Sequence, residues 1–424
     1  MKYIIKSIFL LCFFAMYCSH QVYALVIPEI VGKAGITIDV ATGEMIYTKN
    51  IDNRLFPAST TKLMTAIILA ENNKPEDIFT YSINAKAEEP FTISFNVKDI
   101  AAGDKIAAGD AMDAMLISSA NDIAYMIGEN VTGGNYKAFV DLMNKKVQSL
   151  NLKNTHFVTA NGLHDLNHYS SSYDLSVIAR EASKYPWIMN SLLKQKGQIK
   201  SQNGVIATFL NKNKLLSEKG CIGGKTGYTS EAGRCLVSYF KIDGRKLVGV
   251  VLKSDFDKDD KIVFEDMKKI INWSYNAKKE TLIEGDAKAK KLSIKYSLLP
   301  YNLGPIKNMN IYLNTKLNIQ RYVSLDTYDT AYSISAIDPW KLDKDVAVGH
   351  VTIISRETKN IYSLYPSISR SDLLNSNLGF YIVFFSILVI FIIIFVLVII
   401  LLIIFILNRK AKDIKQDINK EINQ

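Results

Sequence analysis

Apolar and polar residues alternate over positions 34–39 (Ala-Gly-Ile-Thr-Ile-Asp), which is typical of a β-strand with one buried face. Turn-forming residues follow at 41–44, and 45–47 begins a returning strand, so the first predicted element is a β-hairpin. A helix is predicted next. Its apolar side chains recur at helical spacing at Leu63, Ala66, Ile67 and Ala70. This spacing anchors one face of the helix inside the protein.

The middle of the chain, from 99 to 202, has a mainly helical pattern. Its methionines recur at helical spacing with other apolar residues, and we interpret them as ordinary core. After Gly223 the pattern returns to strands at 234–240 and 246–252, and a closing helix is predicted over 262–276. Strands, then helices, then strands again predict an α+β domain in which helices flank an antiparallel sheet.

The stretch 278–366 has a different texture, in which short β-like runs alternate with turn residues. These runs are 292–296, 311–313, 332–334 and 350–354. They predict a small β-sandwich domain. No set of catalytic residue types stands out in it, so we interpret it as a spacer or contact module. Residues 367–377 are predicted to be a polar linker, and the chain contains no internal repeats.

The amino-terminal end resembles a secretory signal. Lys2 and Lys6 precede an apolar run over 8–16, and Val-Tyr-Ala at 22–24 is a small-residue cleavage pattern. We therefore predict a signal peptide over 1–24, cleaved after Ala24. An uncleaved anchor is disfavoured, because the apolar run is shorter than the roughly 20 residues that span a bilayer.

The carboxyl-terminal end contains an uncharged, overwhelmingly apolar stretch from 378 to 407, which predicts a transmembrane helix. Basic residues follow it at Arg409, Lys410 and Lys412. The positive-inside rule places such a cluster in the cytoplasm. The tail 408–424 is then cytoplasmic, and the main body of the chain faces outward.

Composition narrows the choice of partners. The 424-residue chain has a formal net charge of +10 and a pI near 9.1. A basic balance often indicates nucleic acid, but export removes that partner and the lysines are scattered. We expect no nucleic acid, and attraction to anionic lipid or an acidic polymer instead. The sequence does not decide whether Cys221 and Cys235 form a disulfide. Export would place them in an oxidising compartment, but simple hairpin register sets Cys235 nearer Lys225 than Cys221.

The chemistry-bearing motifs begin with Ser-Thr-Thr-Lys at 59–62, which brings a hydroxyl and an amine onto one helical face. By itself this pattern is common, and a serine before an apolar helix is usually an N-cap. Two later motifs follow in order, Ser-Ala-Asn at 119–121 and Lys-Thr-Gly at 225–227. The three together are a specific signal.

With these motifs in view, the chain resembles the serine-type D-alanyl-D-alanine carboxypeptidases, the low-molecular-mass penicillin-binding proteins. The resemblance extends from about 34 to 366. Further matching segments are Asp39-x-x-Thr42-Gly43, Asn161-Gly162-Leu163, His168-Tyr169-Ser170 and Gly224 to Thr229. It implies a penicillin-binding, β-lactamase-like transpeptidase fold for a catalytic domain over 25–277, then the β-domain over 278–366 and a membrane-bound carboxyl terminus.

Acyl transfer requires an activated hydroxyl, an oxyanion site and a group that returns the proton to the leaving amine. The resemblance implies that Ser59 is the nucleophile and Lys62 its general base. Lys62 can act as a base only when it is deprotonated, which burial and a neighbouring cation such as Lys225 promote by lowering its pKa. Ser119 is the expected proton relay, and Asn121 is expected to hold Lys62 and bind the substrate amide.

The third motif is expected to bind the substrate. Lys225 and the Thr226 hydroxyl offer a cationic site for the terminal carboxylate. In the family the backbone amides matching Ser59 and Tyr228 form the oxyanion hole, and Gly227 keeps the strand edge open.

Lys212 marks a departure from the family, because some members carry Arg at this position. A lysine supplies a point charge in place of a bidentate fork. Two interpretations of Lys212 stay open: a weaker ligand for the substrate carboxylate, or a solvated surface charge.

Three histidines, His156, His164 and His168, lie in a Gly/Asn-rich loop without a companion Glu or Cys pattern. We predict that they structure the loop and that no metal site or other cofactor is present. Glu88 and Glu89 suggest the deacylation glutamate of a class A β-lactamase, but they precede the Ser-Ala-Asn motif and that role is disfavoured.

The hypothesis from sequence is an exported, membrane-anchored DD-carboxypeptidase that removes the terminal D-alanine of peptidoglycan stem pentapeptides. It predicts covalent inhibition by β-lactam antibiotics and a catalytic domain in the periplasm, tethered to the cytoplasmic membrane. Two alternatives remain. The same machinery would serve a DD-endopeptidase or a β-lactamase, and the chain would also fit a penicillin-binding sensor or scaffold.

Overall fold

The computed structural model of the protein describes residues 26–88, 100–218, 220–285, 287–322, 327–356 and 358–422. The predicted signal peptide, 1–24, lies outside these residues. The chain forms two compact units. The first extends to Glu280 and includes Gln320–Asp329 and Ile354–Asn360, and the second comprises Thr281–Ile319, Thr330–Ile353 and Ile361–Gln424.

The first unit is built on a five-stranded sheet. Its strands and the shorter ones around it are β1 (Ala34–Asp39), β2 (Met45–Lys49), β3 (Ile78–Thr80), β4 (Lys105–Ala107), β5 (Lys196–Ser201), β6 (Gly204–Leu210), β7 (Cys221–Thr229), β8 (Gly233–Ile242) and β9 (Arg245–Ser254). The sheet order is β2-β1-β9-β8-β7. Every neighbouring pair is antiparallel. Strand β7 is therefore an edge strand, with one side unpaired.

Helices cover both faces of this sheet. They are α1 (Lys62–Asn72), α2 (Ile83–Ala87), α3 (Ala108–Asp113), α4 (Asn121–Val131), α5 (Tyr136–Ser149), α6 (Ser172–Ala182), α7 (Pro186–Leu193) and α8 (Ile262–Asn276). Successive strand residues point to opposite faces, so Val237 of β8 joins the core that contains α1, α4 and α6. Its neighbour Leu236 packs with α8 on the other side. The predicted α+β fold, an antiparallel sheet flanked by helices, is confirmed.

One part of the helical prediction was wrong. The pattern was extended as mainly helical to residue 202, but 196–210 forms the hairpin β5–β6. Its turn contains Gly204 at φ +110°, a left-handed conformation that glycine adopts without strain. Asn203-Gly204 is a hairpin turn signal that the helical interpretation overlooked.

The strands that follow in the chain are β10 (Lys279–Ile283), β11 (Lys290–Leu299), β12 (Leu303–Asn314), β13 (Ile319–Tyr322), β14 (Asp329–Ile334), β15 (Gly349–Ser355) and β16 (Thr358–Pro366). Five of them form a sheet in the order β11-β12-β16-β15-β14. Its core includes the buried residues Ile311, Leu313, Val351 and Leu364.

Two helices end the chain. The stretch predicted as a linker, 367–377, contains α9 (Arg370–Ser376), which starts with a capping box between Ser369 and Asp372. Helix α10 (Leu378–Ile422) begins where the transmembrane prediction began and continues beyond its end at 407. Within the described part of the chain, α10 is the one helix long and apolar enough to cross a membrane, over Leu378–Lys415.

Cys221 and Cys235 are both buried free thiols, so the disulfide that the sequence left open is not formed. The register of the β7–β8 pair explains this, because Cys235 faces Gly227 and Cys221 faces Phe240. The two cysteines therefore lie far apart along the ladder.

Candidate active site

Ser59 lies on a short 3₁₀-helix, Ala58–Thr61, that continues directly into α1 at Lys62. Its side chain caps neither helix. The Nζ atom of Lys62 lies 2.8 Å from Ser59 Oγ. The preceding residue, Ala58, has φ +47°, a strained conformation of the kind that accumulates at functional sites. The helix-cap interpretation of Ser59 is therefore excluded.

Lys62 is fully buried, and its amine has three oxygen neighbours. Besides Ser59 Oγ, it donates to Asn121 Oδ1 at 2.7 Å and to the carbonyl oxygen of Asn161 at 2.7 Å. Amide and carbonyl oxygens can only accept hydrogen bonds. A neutral amine has two N–H groups, and these two acceptors take both. The nitrogen lone pair is then left facing the Ser59 hydroxyl, which is the arrangement a general base requires.

The surroundings of Lys62 favour this neutral form. Burial is the largest cause that lowers its pKa, and the charges of Lys225 and then Lys212 lower it further. The carboxylates of Asp122 and Glu88 act in the opposite direction. The net result is a pKa well below the ordinary lysine value.

Ser119 and Lys225 form a second polar pair in the site. A single π-helical turn, Ala114–Ser118, ends at Ser119, which has φ +68°. Such turns often mark functional positions. Lys225 Nζ donates to Ser119 Oγ at 3.1 Å and to the Thr226 carbonyl at 2.9 Å. Lys225 is buried too, and burial, then Lys212, lowers its pKa well below the ordinary value.

Strand β7 passes close to Ser59. A side chain added at Gly227 would place its Cβ 3.0 Å from the Ser59 backbone nitrogen. The absence of a side chain therefore keeps the space beside this N–H open. Tyr228 follows on the same edge strand and lines the same cleft as Ser59.

These residues line a cleft of about 500 Å³. The residues that the sequence analysis assigned to the site come together here. Ser59, Ser119, Asn121, Thr226, Gly227, Tyr228 and Lys212 line the cleft, while Lys62 and Lys225 lie behind its wall. The exposed Lys212 is among the lining residues, and partial loss of hydration, followed by the charge of Arg234, lowers its pKa.

Arg234 is a cleft residue that the sequence analysis missed. Its guanidinium lies 4.8 Å from the ring centre of Tyr228 and 4.9 Å from that of Phe256, and Nε pairs with Asp260 at 2.6 Å. This packing holds a permanent cation at the edge of the cleft. No motif in the sequence marks the position, because the contact depends on the register of β7 with β8.

The turn at Asn161 and Gly162 packs against the short helix that carries Ser59. Asn161 is fully buried, and its side chain donates to Glu88 Oε1 at 2.5 Å. Gly162 has φ +83°, and a Cβ there would meet the Ala58 carbonyl oxygen at 2.0 Å. The sequence contained the signal for this turn in the matching segment 161–163, but the role of the Asn161 carbonyl in holding Lys62 was not anticipated.

Of the three loop histidines, His168 is buried, and His156 and His164 are exposed. The Nε2 atom of His168 lies 2.8 Å from Thr61 Oγ1, and its Nδ1 accepts from the Val158 amide. Burial is the main cause that lowers its pKa to about 3, so it is neutral at physiological pH. In the described ranges, no group of three or more His, Cys, Asp or Glu residues is placed to hold a metal ion.

The fold and the cleft define the class of this protein. An antiparallel sheet flanked by helices, with a serine and two buried lysines beside an edge strand, is the arrangement of penicillin-binding-type serine peptidases. Residues 21–255, more than half of the chain, match the profile of the D-alanyl-D-alanine carboxypeptidase family, peptidase family S11. The chain belongs to this family.

Known proteins agree with this assignment. The chain is 30% identical over 228 residues to the D-alanyl-D-alanine carboxypeptidase DacF of Bacillus subtilis, an alignment that covers 54% of this chain and 58% of the relative. The crystal structure of the Streptomyces K15 DD-transpeptidase is similar with a TM-score of 0.55 and 28% identity, over 59% of this chain and 99% of that one.

A third similarity extends into the second unit. The D-alanyl-D-alanine carboxypeptidase DacD of Francisella tularensis has a TM-score of 0.60 over 83% of this chain and 96% of its own, at 20% identity. At this identity the likeness concerns the fold alone. In sequence, the chain spans about three-fifths of the length of the first curated relatives that it matches.

Proposed function

We propose that this protein is a serine DD-carboxypeptidase that removes the terminal D-alanine from peptidoglycan stem pentapeptides through an acyl-enzyme on Ser59. The observation that carries the proposal is the Lys62 amine, which is buried, lies 2.8 Å from Ser59 Oγ and has two obligate acceptors as its other partners. Family membership supports the substrate class.

In the acylation step, Ser59 Oγ attacks the carbonyl carbon of the penultimate D-alanine while its proton passes to Lys62 Nζ. The lowered pKa of Lys62 favours the neutral amine that this step requires. The carbonyl oxygen becomes an oxyanion. We assign its stabilisation to the backbone N–H groups of Ser59 and Tyr228, on either side of the space that Gly227 leaves open.

Collapse of the intermediate breaks the peptide bond and releases D-alanine, whose nitrogen needs a proton. Ser119 is the proposed proton relay to this nitrogen, since its hydroxyl is bonded to Lys225 Nζ and lines the cleft with Ser59. It donates its proton to the amine and regains one from the lysine pair, which holds the proton taken from Ser59. Asn121 holds Lys62 through its oxygen and contributes to binding of the substrate amide. Water then hydrolyses the ester and restores Ser59. A β-lactam would be attacked in the same way and would acylate the same oxygen.

Substrate binding is assigned to the edge strand and the cations beside it. An extended peptide adds well to an unpaired strand edge, and β7 supplies one. The terminal carboxylate would meet the Thr226 hydroxyl and the positive field of Lys225, with Lys212 at the rim of the cleft. The direct interaction of Lys212 with this carboxylate stays a prediction.

The long apolar helix α10 supports a membrane anchor. We propose that it crosses the cytoplasmic membrane once, with the basic residues after 407 inside and the catalytic unit outside, where peptidoglycan is found.

The test is acylation of the full-length chain in detergent by benzylpenicillin, followed by intact-mass measurement, together with release of D-alanine from a stem pentapeptide. We expect one adduct, located on Ser59, and free D-alanine. Ser59→Ala is expected to lose both. Ser149→Ala, a remote exposed serine on α5, is the matched control and is expected to keep both. An adduct that persists in Ser59→Ala would refute the assignment.

Orientation needs a separate test. A cysteine at position 412 (Lys412→Cys) is expected to resist a membrane-impermeant thiol reagent in intact cells and to react after the cells are lysed. Reaction in intact cells would place the tail outside and overturn the proposed topology.

A further inference from the structure

The hairpin formed by β11 and β12 has an unusual tip. From Ser297 to Ile306 the sequence Ser-Leu-Leu-Pro-Tyr-Asn-Leu-Gly-Pro-Ile carries no charge, and lysines flank it at Lys295 and Lys307. Three of its apolar side chains are largely exposed: Tyr301 by 92%, Leu303 by 60% and Ile306 by 76%. An exposed apolar patch bounded by polar residues typically marks an interaction site.

The same hairpin packs against the beginning of α10. Tyr296 and Leu298 form an apolar cluster with Leu373, and Phe380 packs on it. Three hydrogen bonds tie the elements together. Asn377 Nδ2 donates to the Tyr296 hydroxyl at 2.9 Å, Lys307 Nζ donates to Asn377 Oδ1 at 2.8 Å, and the Tyr381 hydroxyl donates to the Leu298 carbonyl at 2.8 Å.

These contacts show that strand and helix run side by side in the same direction. From Tyr296 to Leu298 the strand advances about 7 Å, and from Asn377 to Tyr381 the helix advances about 6 Å. Beyond Leu298 the strand ends at Leu299, and the turn that follows, with Tyr301 and Asn302 at positive φ, continues past this contact. The tip therefore lies alongside the first apolar turns of α10, beyond Tyr381.

We propose that the tip of the β11–β12 hairpin, with Tyr301, Leu303 and Ile306, inserts into the outer leaflet of the membrane that α10 crosses. The occupant of this surface is a lipid bilayer. The helix beside it has the length and composition of a span, and Tyr381, which bonds to the hairpin, is of the residue type that concentrates at membrane–water interfaces.

The residue types at the tip of the hairpin suit a position at the membrane–water interface. Pro300 and Pro305 have no backbone N–H to desolvate. Tyrosine is suited to the head-group level, because its ring is apolar and its hydroxyl polar. Lys295 and Lys307 flank the uncharged segment where anionic head groups are expected, and such lysines are attracted to an acidic lipid surface. A second contact with the bilayer would fix the angle at which the second unit stands on its anchor.

The experiment uses the full-length chain in vesicles of phosphatidylcholine and phosphatidylglycerol. A polarity-sensitive fluorophore is attached at Tyr301→Cys, and its quenching by aqueous iodide and by nitroxide-labelled acyl chains is measured. Leu317→Cys is the matched control, since Leu317 is 77% exposed and follows the opposite end of β12. Fluorescence from labelled native cysteines is subtracted with the unsubstituted chain.

We expect the probe at 301 to emit at shorter wavelength, to resist iodide and to be quenched by the nitroxide lipid, with the opposite behaviour at 317. Ile306→Cys provides a second site within the strand if the turn variant folds poorly. Equal iodide quenching at 301 and 317 would overturn the proposal. Shielding from iodide without quenching by the lipid would overturn it too, because a protein would then cover the tip.

The proposal depends on insertion of α10 and not on the peptidase activity. Flotation of the unsubstituted chain with the vesicles tests that insertion separately. A chain that floats but exposes the tip refutes the hairpin contact alone.

Discussion

At the scale of single residues, the site depends on charges that act on Lys62 from different elements. Lys225 lies on β7, Lys212 follows β6, Asp122 lies on α4 and Glu88 ends α2. The buried His168, which contacts the neighbouring Thr61, is neutral and adds no charge at pH 7. Cations lower the pKa of Lys62 and carboxylates raise it, so individual substitutions should shift the pH dependence of acylation in opposite directions.

Lys212→Gln and Glu88→Gln are the two informative variants. Acylation needs neutral Lys62, so its rate falls as pH decreases through the Lys62 pKa. Loss of the Lys212 charge should raise that pKa and shift the acidic limb to higher pH. Loss of the Glu88 charge should lower it and shift the limb to lower pH, with the bond to Asn161 kept by the Gln oxygen. The measurement is the rate of acylation by fluorescent penicillin between pH 5 and 9.

Lys214→Gln is the control, since Lys214 is a nearby exposed lysine that contacts Asp259 and Asp260 instead of the cleft. Shifts of the same sign for Lys212→Gln and Glu88→Gln would contradict the electrostatic account of Lys62.

His168 should make the fold sensitive to acid. Its pKa is about 3 in the folded protein against 6.5 for the free side chain. The unfolded chain therefore binds a proton that the folded one excludes, and the stabilisation present above pH 6.5 is lost as pH falls toward 3. The loss between pH 7 and 4.5 is roughly 2–3 kcal/mol. Thermal unfolding in detergent at both pH values measures it.

His168→Gln should flatten this dependence, while His156→Gln, at an exposed histidine, should leave it as in the unsubstituted chain. An identical fall in melting temperature for His168→Gln and the unsubstituted chain would show that other groups cause the acid sensitivity.

At the scale of elements, Ser59, the proposed nucleophile, lies where three local structures meet. These are the 3₁₀-helix that carries Ser59, the edge strand β7 and the turn at Asn161 and Gly162. Each approaches the others so closely that side chains are excluded at Gly162 and Gly227. The precision of the site is therefore a property of backbone packing.

Gly162→Ala should disrupt this packing. The left-handed backbone costs a non-glycine residue about 1–3 kcal/mol, and the new Cβ also displaces the Ala58 carbonyl, 2.0 Å away. We expect a lower melting temperature and a large loss of penicillin acylation. Gly133→Ala separates the two effects, because Gly133 has φ +63° with no atom within 4 Å of a Cβ. This control should show the backbone strain alone, with normal acylation. Equal acylation by both variants would contradict the packing argument.

At the scale of the whole molecule, the chain combines a unit that matches the S11 family, a β-rich unit and an apolar helix. The 27 Leu, Ile, Phe and Val residues of 378–407 contribute about 8–16 kcal/mol to insertion on a biological scale. With this margin, the proposed anchor should tolerate a single charge but not several.

Replacing Ile390, Ile394, Leu397 and Leu401 by arginine costs about 10–14 kcal/mol, which offsets the gain from the apolar residues. We expect this variant to leave the carbonate-washed membrane fraction. Ile394→Arg alone should remain there. Retention of the fourfold variant, with full extraction by detergent, would show that another segment holds the protein on the membrane.

The α+β fold, the flanking helices and the long apolar helix were predictable from sequence, since they depend on local periodicity of apolar residues. The three motifs could also be recognised in the sequence, because each is a short contiguous run of residues. Local pattern failed at β5–β6, where the helical stretch was extended over β5 to residue 202, and at 367–377, where a capping box starts a helix.

Only the tertiary structure decided how these segments meet. It placed the Asn161 carbonyl on Lys62, Glu88 on Asn161, Arg234 at the rim of the cleft and the β11–β12 hairpin along the start of α10. These contacts join residues far apart in the chain, and no local periodicity records them. The sequence alone determined which chemical groups the protein possesses and which elements carry them. Burial and the approach of other elements determined which of those groups face one another and how strongly their pKa values shift.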